Sequence, residues 1–149
     1  MLPAETPLPN MKIIEYPHHF YEFVIQEDSS SRRAFDSWIA GMEKLYQLPS
    51  ETPLKVLTNA AKIETVSLTY PLQKSQLLLK KYPNHPKMRL VVLMPESQGI
   101  FSRILLSFPQ LVRTDDEIRT MYGDKREQAI DWLFANERHN RPQHLADNA

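Results

Sequence analysis

Cysteine is absent from the 149 residues of this chain. This absence excludes thiolate catalysis, zinc sites with sulfur ligands and disulfide bonds, so nothing in the sequence requires an oxidising compartment. The first ten residues show no basic segment followed by an apolar core, and no apolar run is long enough to span a bilayer. The sequence therefore predicts a cytoplasmic protein without membrane insertion.

Glycine is scarce, with only Gly41, Gly99 and Gly123 present. These three form neither a dinucleotide fingerprint nor a phosphate-binding loop, because both motifs need clustered glycines to bring the backbone close to phosphates. Net charge is also lacking, since 18 basic residues balance 18 acidic ones. Without an overall positive field, the sequence predicts no nucleic-acid partner, and it predicts no cofactor.

The most informative stretch is residues 88–95, in which five consecutive apolar residues end at a proline. A run this short predicts a strand that is buried on both faces, as in parallel sheets covered by helices. Hydrophobic spacing and turn residues predict further strands at 11–16, 20–25, 54–58 and 118–122. They also predict a helix with its apolar stripe over 34–46 and several possible caps among residues 28–31, and helices at 71–82, 97–112 and 124–134. Residues 60–69 are predicted to form mostly a loop.

This alternation of strands and helices predicts a single α/β domain over residues 11–136, with a four- to five-stranded mixed sheet and four helices. Residues 1–10 contain three prolines and predict a flexible N-terminal arm, and residues 137–149 predict a polar C-terminal tail. Asp124 followed three residues later by Glu127 predicts a capping box at the start of the last helix.

Several polar groups have a chemical and a structural interpretation, and the structural one is favoured in each. His18 and His19 are adjacent and project in different directions, which predicts a solvated turn and no metal site. The acids Asp115, Asp116 and Glu117 predict a solvated turn before a strand. A basic cluster, interpreted as a solvated face, comprises Lys74, Lys80, Lys81, Lys87 and Arg89. Trp38 and Trp132 adjoin apolar stripes and predict packing in or beside the core.

The order of these elements resembles the STAS-like fold, specifically the relatives of the anti-sigma-factor antagonists. The resemblance rests on residues 118–133, a closing strand followed by a helix with Glu, Ala and Trp-Leu, and on the consecutive core strands 54–59 and 88–95. It implies a non-enzymatic regulatory domain that binds a protein partner. In the antagonists an Asp-Ser pair followed by glycine is phosphorylated, whereas residues 60–70 contain no Asp-Ser pair and no glycine.

The resemblance therefore predicts a protein-interaction domain without the usual phospho-switch and without catalytic residues. Its predicted binding residues for a ligand or partner are Thr58, Asn59, Thr65, Ser67 and Ser97. The alternative is a carrier or sensor of a small ligand, such as a nucleotide or lipid, because open α/β sheets bind ligands beyond the carboxyl ends of their strands. A hydrolase would need a serine to meet a distant histidine, and a homodimer is left open.

Overall fold

The computed structural model describes residues 4–8, 10–26, 31–49, 51, 53–61, 69–94 and 116–142. The strands are β1 (Ala4–Leu8), β2 (Met11–Tyr16), β3 (Phe20–Ile25), β4 (Leu54–Asn59), β5 (Met88–Met94) and β6 (Glu117–Tyr122). The α-helices are α1 (Ser31–Tyr46), α2 (Thr69–Lys81) and α3 (Arg126–Leu133), and short 3-10 helices occupy Gly123–Lys125 and Arg138–Asn140. None of the described helices is both long and apolar enough to cross a membrane.

All six strands belong to one mixed sheet, in which they lie side by side in chain order. The pairs β1–β2 and β2–β3 are antiparallel, because short connections reverse the chain. The pairs β3–β4, β4–β5 and β5–β6 are parallel, and parallel neighbours need long crossover connections, which α1 and α2 supply for the first two of them. The α/β class predicted from the sequence is confirmed.

The central strand β5 is covered on both faces, as its apolar run predicts. Leu90 packs into a cluster with α1 and α2, whereas Val91 and Leu93 pack into a second cluster with α3. Val91 and Leu93 are fully buried. Val92 shares the face of Leu90 but is only partly buried, so the α1–α2 face of β5 is covered less completely than the apolar run predicts.

Helices α1 and α2 cover one face of the sheet. The apolar stripe of α1, including Trp38 and Met42, is buried against the sheet, and Leu78 brings α2 into the same cluster. Gly41 allows α1 to approach closely, because a Cβ at this position would lie 2.9 Å from Cδ1 of Ile13. The helix predicted from the apolar stripe over residues 34–46 is therefore confirmed.

Helix α3 covers the opposite face of the sheet. Its predicted apolar stripe is confirmed, because Ala129, Ile130 and Leu133 are buried together with Phe134. The stripe occupies one side of a single short helix, so its spacing brings every apolar side chain onto the sheet. The exposed residues of α3 point away from the sheet.

The strand count differs from the expected four or five because Ala4–Leu8 forms β1, within the segment predicted as a flexible arm. Leu8 is in register with Met11, and β1 continues along the whole of β2. Pro7 is tolerated because β1 is an edge strand, where a missing amide donor costs no ladder bond. Three α-helices lie within the described residues; the fourth predicted one, over residues 97–112, lies outside them.

The predicted capping box is wrong. Asp124 lies inside the 3-10 helix Gly123–Lys125, and the N-cap of α3 is Lys125, which makes no side-chain cap hydrogen bond. The 3-10 turn moves the start of the α-helix to Arg126, so Asp124 and Glu127 are not in the positions that a capping box requires. Glu127 instead accepts a hydrogen bond from Nη2 of Arg141 at 2.5 Å.

The β2–β3 turn contains the two adjacent histidines. His18 and His19 are exposed, as predicted, and both have positive φ angles, 65° and 59°. Residues with a Cβ seldom adopt this conformation, because the Cβ then crowds the backbone. The carbonyl of His19 accepts a hydrogen bond from the amide of Lys55 at 2.9 Å, which ties the turn to the start of β4.

Candidate functional site

The carboxyl ends of four parallel strands meet at one edge of the sheet. Strands β3 to β6 all run in the same direction and end at Ile25, Asn59, Met94 and Tyr122. This edge is where open α/β sheets bind ligands, and it is the edge at which the sequence predicts the binding residues. We call it the carboxyl edge and describe its residues in turn.

Thr58 lies near this edge but in the core. It is 3% exposed, and its Oγ1 accepts a hydrogen bond from Nε1 of Trp38 at 2.9 Å. The strand alternation turns Thr58 toward α1, where its hydroxyl satisfies the buried indole N–H. Thr58 was predicted as a binding residue, but in this structure it supports the packing of α1 and has no surface to offer a partner.

Asn59 points to the other face and ends β4. Its Oδ1 accepts a hydrogen bond from the amide of Ala61 at 3.2 Å, which closes an Asx turn immediately after the strand. The amide of Ala60 donates to the carbonyl of Leu93 at 2.9 Å, so the turn is also fixed to β5. Asn59 is half-buried and its orientation is set by the backbone around it.

Gly123 brings the end of β6 against this turn. A Cβ on Gly123 would lie 2.7 Å from the Cβ of Ala61 and 3.5 Å from the carbonyl oxygen of Met94. A distance of 2.7 Å is shorter than a carbon–carbon contact allows, so only glycine fits between the two chain segments without a shift. The segments that follow β4 and β6 are therefore in direct contact at the carboxyl edge.

Tyr122 completes the described part of this edge. It is 38% exposed, one of the few large apolar side chains on the surface of the described residues, and exposed Asp124 and Lys125 follow it. Sequence reasoning missed Tyr122 because it counted only as the end of a strand. A signal was present, since an aromatic residue directly before a lone glycine at a strand end marks a tight turn with a large side chain beside it.

The remaining predicted binding residues, Thr65, Ser67 and Ser97, lie outside the described residues. Of the five predicted binding residues the structure thus positions two, Thr58 and Asn59. These two are neighbours in sequence but face opposite sides of the sheet.

The opposite, amino edge carries a buried ion pair. Lys55 begins β4 with a side chain that is 2% exposed, and its Nζ donates to Oε1 of Glu137 at 2.8 Å. The same Nζ lies 4.9 Å from the ring centre of Phe134. Although partial burial acts to raise the pKa of Glu137, the Lys55 hydrogen bond and charge hold that pKa below its ordinary value.

Arg89 lies beside Lys55 on the neighbouring strand and caps α3. Its Nη2 donates to the carbonyl of Trp132 at 2.8 Å, and its guanidinium lies 4.2 Å from the centre of the Trp132 ring. Cations at a helix C-terminus satisfy free carbonyls and complement the helix dipole. Arg89 was predicted to lie on a solvated face, and that prediction is wrong because its side chain is only 13% exposed.

Under α3 lies a second buried network, formed by Tyr16, Glu22 and Arg126. Glu22 is fully buried; it accepts hydrogen bonds from Nη2 of Arg126 at 2.8 Å, Nε of Arg126 at 3.0 Å and the Tyr16 hydroxyl at 3.0 Å. Burial opposes the positive charge, but the bonds to Glu22 raise the pKa of Arg126. Because both carboxylate oxygens accept hydrogen bonds from fixed donors, Glu22 is arranged to hold α3 on the sheet.

His85 and Asp116 form a pair that sequence reasoning did not foresee. Nε2 of His85 lies 2.8 Å from Oδ2 of Asp116, and Nδ1 lies 2.9 Å from the carbonyl of Tyr82. Asp116 also accepts a hydrogen bond from the amide of Met88 at 3.0 Å, and its side chain is 7% exposed, so the prediction of a solvated acid is wrong. Both nitrogens of His85 are engaged, which leaves none to act as a base toward a serine.

A small cavity lies between α1, α2, β5 and β6. Its walls are largely apolar, and its polar members are the Asp116 carboxylate and the Ser75 hydroxyl, which is buried and has no hydrogen-bond partner. The cavity volume is about 30 Å³. One water needs roughly 10–15 Å³ on this measure, so the cavity can hold one or two water molecules but not a metabolite.

Among the described residues no group of three or more histidine, aspartate and glutamate side chains could hold a metal ion. The chemistry that these residues do present consists of buried ion pairs, in which Nε of Arg89 and Nη1 of Arg126 make no hydrogen bond, and an exposed aromatic ring at the carboxyl edge. Comparison of the chain with protein-family models, with curated proteins and with solved structures finds no match, so its resemblance to STAS-like domains stays a prediction.

Proposed function

We propose that this chain is a non-catalytic interaction domain that binds a protein partner at the carboxyl edge of its sheet. The observation that carries this proposal is the exposed ring of Tyr122, which lies on the same edge as the Asn59 turn. Exposed aromatic rings are enriched at the energetic centres of protein interfaces, and Tyr122 presents such a ring at the carboxyl edge. Gly123 holds the two segments together, so the surface is formed before a partner arrives.

A regulatory role of the STAS-like kind is part of the same proposal, and its support is the order of elements and the sequence of residues 118–133. The chain has no Asp-Ser pair in residues 60–70. Binding is therefore constitutive in this proposal, with Asn59 and Tyr122 in the contact and with Thr65, Ser67 and Ser97 kept as predicted contacts. The small-ligand alternative gains no support from the cavity beside Ser75, which is too small.

The proposal can be tested by site-specific photocrosslinking. A benzophenone amino acid is placed at Tyr122 and, as a matched control, at Leu48, which is equally exposed at 38% but lies after α1 near the amino edge. In cells that naturally express the chain, position 122 should yield a discrete protein adduct that position 48 does not yield. Asn59→Arg combined with Ser67→Arg should abolish that adduct while the far-UV circular dichroism spectrum shows that the chain remains folded.

Two results would overturn the proposal. Identical adducts from positions 122 and 48 would show that the carboxyl edge is not a specific surface. An adduct at position 122 that survives both arginine substitutions would place the partner away from the Asn59 turn.

A further inference from the structure

The two edges of the sheet differ in how well they are protected against pairing with another strand. Strand β1 is short and contains Pro7, which lacks an amide donor and blocks extension of the sheet. Strand β6 has six residues without proline or glycine, and none of the six is buried. In the described part of the chain no strand lies on its outer side. An edge of this kind presents backbone donors and acceptors to a further strand.

Among the described residues, the flanks of β6 are only partly covered. Helix α3 packs mainly against β4 and β5, and on the side of β6 that faces α3 the apolar side chain of Met121 packs against the α3 cluster. On this side Glu117 and Arg119 are exposed, with Arg119 5.6 Å from the centre of the Trp132 ring and Glu117 3.7 Å from Nε of Arg89. The other side carries Ile118, which packs at the margin of the α1–α2 cluster.

The charges on β6 are complementary to those of a second β6 in one antiparallel register. In an antiparallel pair, residues directly opposite lie on the same face. A two-fold axis through Ile118 places Glu117 opposite Arg119 of the second copy, and Arg119 opposite Glu117, so two opposite-charge pairs form. An axis through Arg119 would instead place two arginines opposite each other, which is unfavourable.

We infer that β6 is a self-association edge, through which two copies of this chain pair antiparallel about Ile118 and extend the sheet across the dimer. The contact pairs residues 116–120 of each copy, four of which belong to β6, and is at the small end of specific interfaces, so the dimer is weak and reversible, with a Kd on the order of micromolar or above. These residues do not include Tyr122, the β6 residue that carries the proposed partner site. A closed two-fold dimer also protects the first four residues of β6 against aggregation.

Sedimentation equilibrium over about 10 µM to about 1 mM protein tests this inference, a range chosen for a weak dimer. Wild type should dimerise, and Arg119→Glu and Glu117→Arg should each weaken the dimer at least about tenfold, because each places like charges opposite one another. The double variant, Glu117→Arg with Arg119→Glu, should restore it. Glu5→Lys is the matched control, since it breaks the exposed Glu5–Lys12 pair at the other edge and should change nothing.

A second measurement identifies the register and does not depend on the charge variants. The chain has no cysteine, so single-cysteine variants give unambiguous crosslinks. With the axis at Ile118, Ile118→Cys lies opposite itself and should form a disulfide or a short bis-maleimide crosslink. Thr120→Cys, equally half-buried, would lie about 13 Å from its counterpart along the strands and should not crosslink.

The inference is overturned by a wild type that stays monomeric over the whole range. It is also overturned if the double charge swap fails to restore a dimer that the single reversals weaken, or if Glu5→Lys weakens the dimer equally. Preferential crosslinking at position 120 would reject the register about Ile118.

Discussion

Individual side chains explain how α3 is held on its face of the sheet. Glu22, in the middle of β3, is fully buried and receives two hydrogen bonds from Arg126, the first residue of α3. An apolar side chain at either position would fill space without fixing direction, whereas the bidentate pair fixes the start of the helix over β3. The Tyr16 hydroxyl completes the set of donors.

Removing Arg126 should be strongly destabilising. Arg126→Ala leaves the Glu22 carboxylate buried without its counter-charge, and breaking such a pair costs about 3–5 kcal/mol in free energy of unfolding. Urea denaturation measures this loss. Replacing both partners, Glu22→Leu with Arg126→Met, should recover most of it because no isolated charge remains. The neighbouring exposed residue serves as control, with Lys125→Ala costing within about 0.5 kcal/mol. Equal losses of unfolding free energy in Arg126→Ala and Lys125→Ala would contradict the stabilising role of the Glu22–Arg126 pair.

Two tyrosines should make the fold sensitive to alkaline pH. Burial, the charge of Glu15 and its hydrogen bond raise the pKa of Tyr21 from 10.0 to about 12. Burial, with a contribution from the charge of Asp116, also raises the pKa of Tyr46. Above pH 10 the unfolded chain therefore releases phenol protons that the folded protein retains, so these tyrosines contribute full stability below pH 10 and lose it as the pH rises toward 12.

The expected loss can be assigned by substitution. Between about pH 10 and 12 the unfolding free energy of Tyr21→Phe should fall less steeply with pH than that of wild type, by about 1.4 kcal/mol per pH unit. Denaturation curves at stepwise increasing pH measure the slope. Leu48→Ala, at an exposed side chain without an ionisable group, should leave the slope of wild type unchanged. A Tyr21→Phe slope that equals that of wild type would show that this phenol ionises alike in both states.

The sequence could not reveal which distant residues contact each other. His85 and Asp116 are 31 positions apart, and Arg89 reaches a carbonyl 43 positions away. Hydrophobic spacing reports which side a residue faces within its own element, but it contains no information on which distant residue lies opposite. Asp116 and Arg89 were therefore expected in solvent, although each is held by a partner from another segment.

At the scale of elements, the predictions succeeded where apolar spacing was strong. Strands β2 to β6 and helices α1 and α3 all coincide with apolar patterns, and Pro83 follows the end of α2 as its sequence predicts. Strand β1 was missed because its residues, Ala4–Leu8, are mostly polar or small and adjoin prolines. Strand β1 is held by its backbone pairing with β2 and not by burial of its own side chains, since none of its residues is buried.

The unequal burial of β5 gives a test within one strand. Val91 is completely buried against α3, whereas Val92 is partly exposed on the α1–α2 face. Val91→Ala should cost about 2 kcal/mol or more in unfolding free energy, and Val92→Ala only about 1 kcal/mol, because less apolar surface leaves water at Val92. Thermal and urea unfolding of the two variants provide the comparison. A larger loss at Val92 would mean that the α1–α2 face is packed more tightly there than this structure indicates.

The candidate site at the carboxyl edge stays a prediction, and the sequence could name only part of what lies there. Parallel strands direct their carboxyl ends to one edge, and this rule places Asn59 at that edge. The strand alternation that turns Thr58 inward is equally simple, but it required knowing that α1 covers that face and that Trp38 supplies an N–H donor. Tyr122 was overlooked because exposure at a strand end depends on what packs beside it.

Across the whole molecule, the segment after α3 joins the last helix to the amino edge of the sheet. Glu137 bonds to Lys55 of β4, and Arg141 bonds back to Asp131 of α3 at 2.6 Å and to Glu127. Residues 137–142, predicted to belong to a polar tail, thus lie against the domain. The charge of Glu137 compensates a lysine that the surrounding core would otherwise leave isolated.

The two partners of this ion pair should respond differently to removal, because Lys55 is 2% exposed and Glu137 is 27% exposed. Glu137→Ala leaves the buried ammonium group of Lys55 without its counter-charge and should cost about 3 kcal/mol in unfolding free energy. Lys55→Met leaves a carboxylate that water can reach, so it should cost less than about 1 kcal/mol. The pKa of Glu137 is lower in the folded protein than its ordinary value. The ionised Glu137 therefore stabilises the fold fully above the ordinary pKa, and this contribution is lost as the pH falls through the pKa of the folded protein.

Urea denaturation of the two single variants and of Lys55→Met with Glu137→Leu measures this asymmetry, with exposed Arg138→Ala as the control in the same segment. The double variant should recover most of the stability lost in Glu137→Ala, because no buried charge is then left without a partner. The acid sensitivity assigned to this pair should disappear in the same double variant. If Lys55→Met lowered the unfolding free energy as much as Glu137→Ala does, Lys55 would stabilise the fold mainly by packing on Phe134. The C-terminal segment would then not be held by charge.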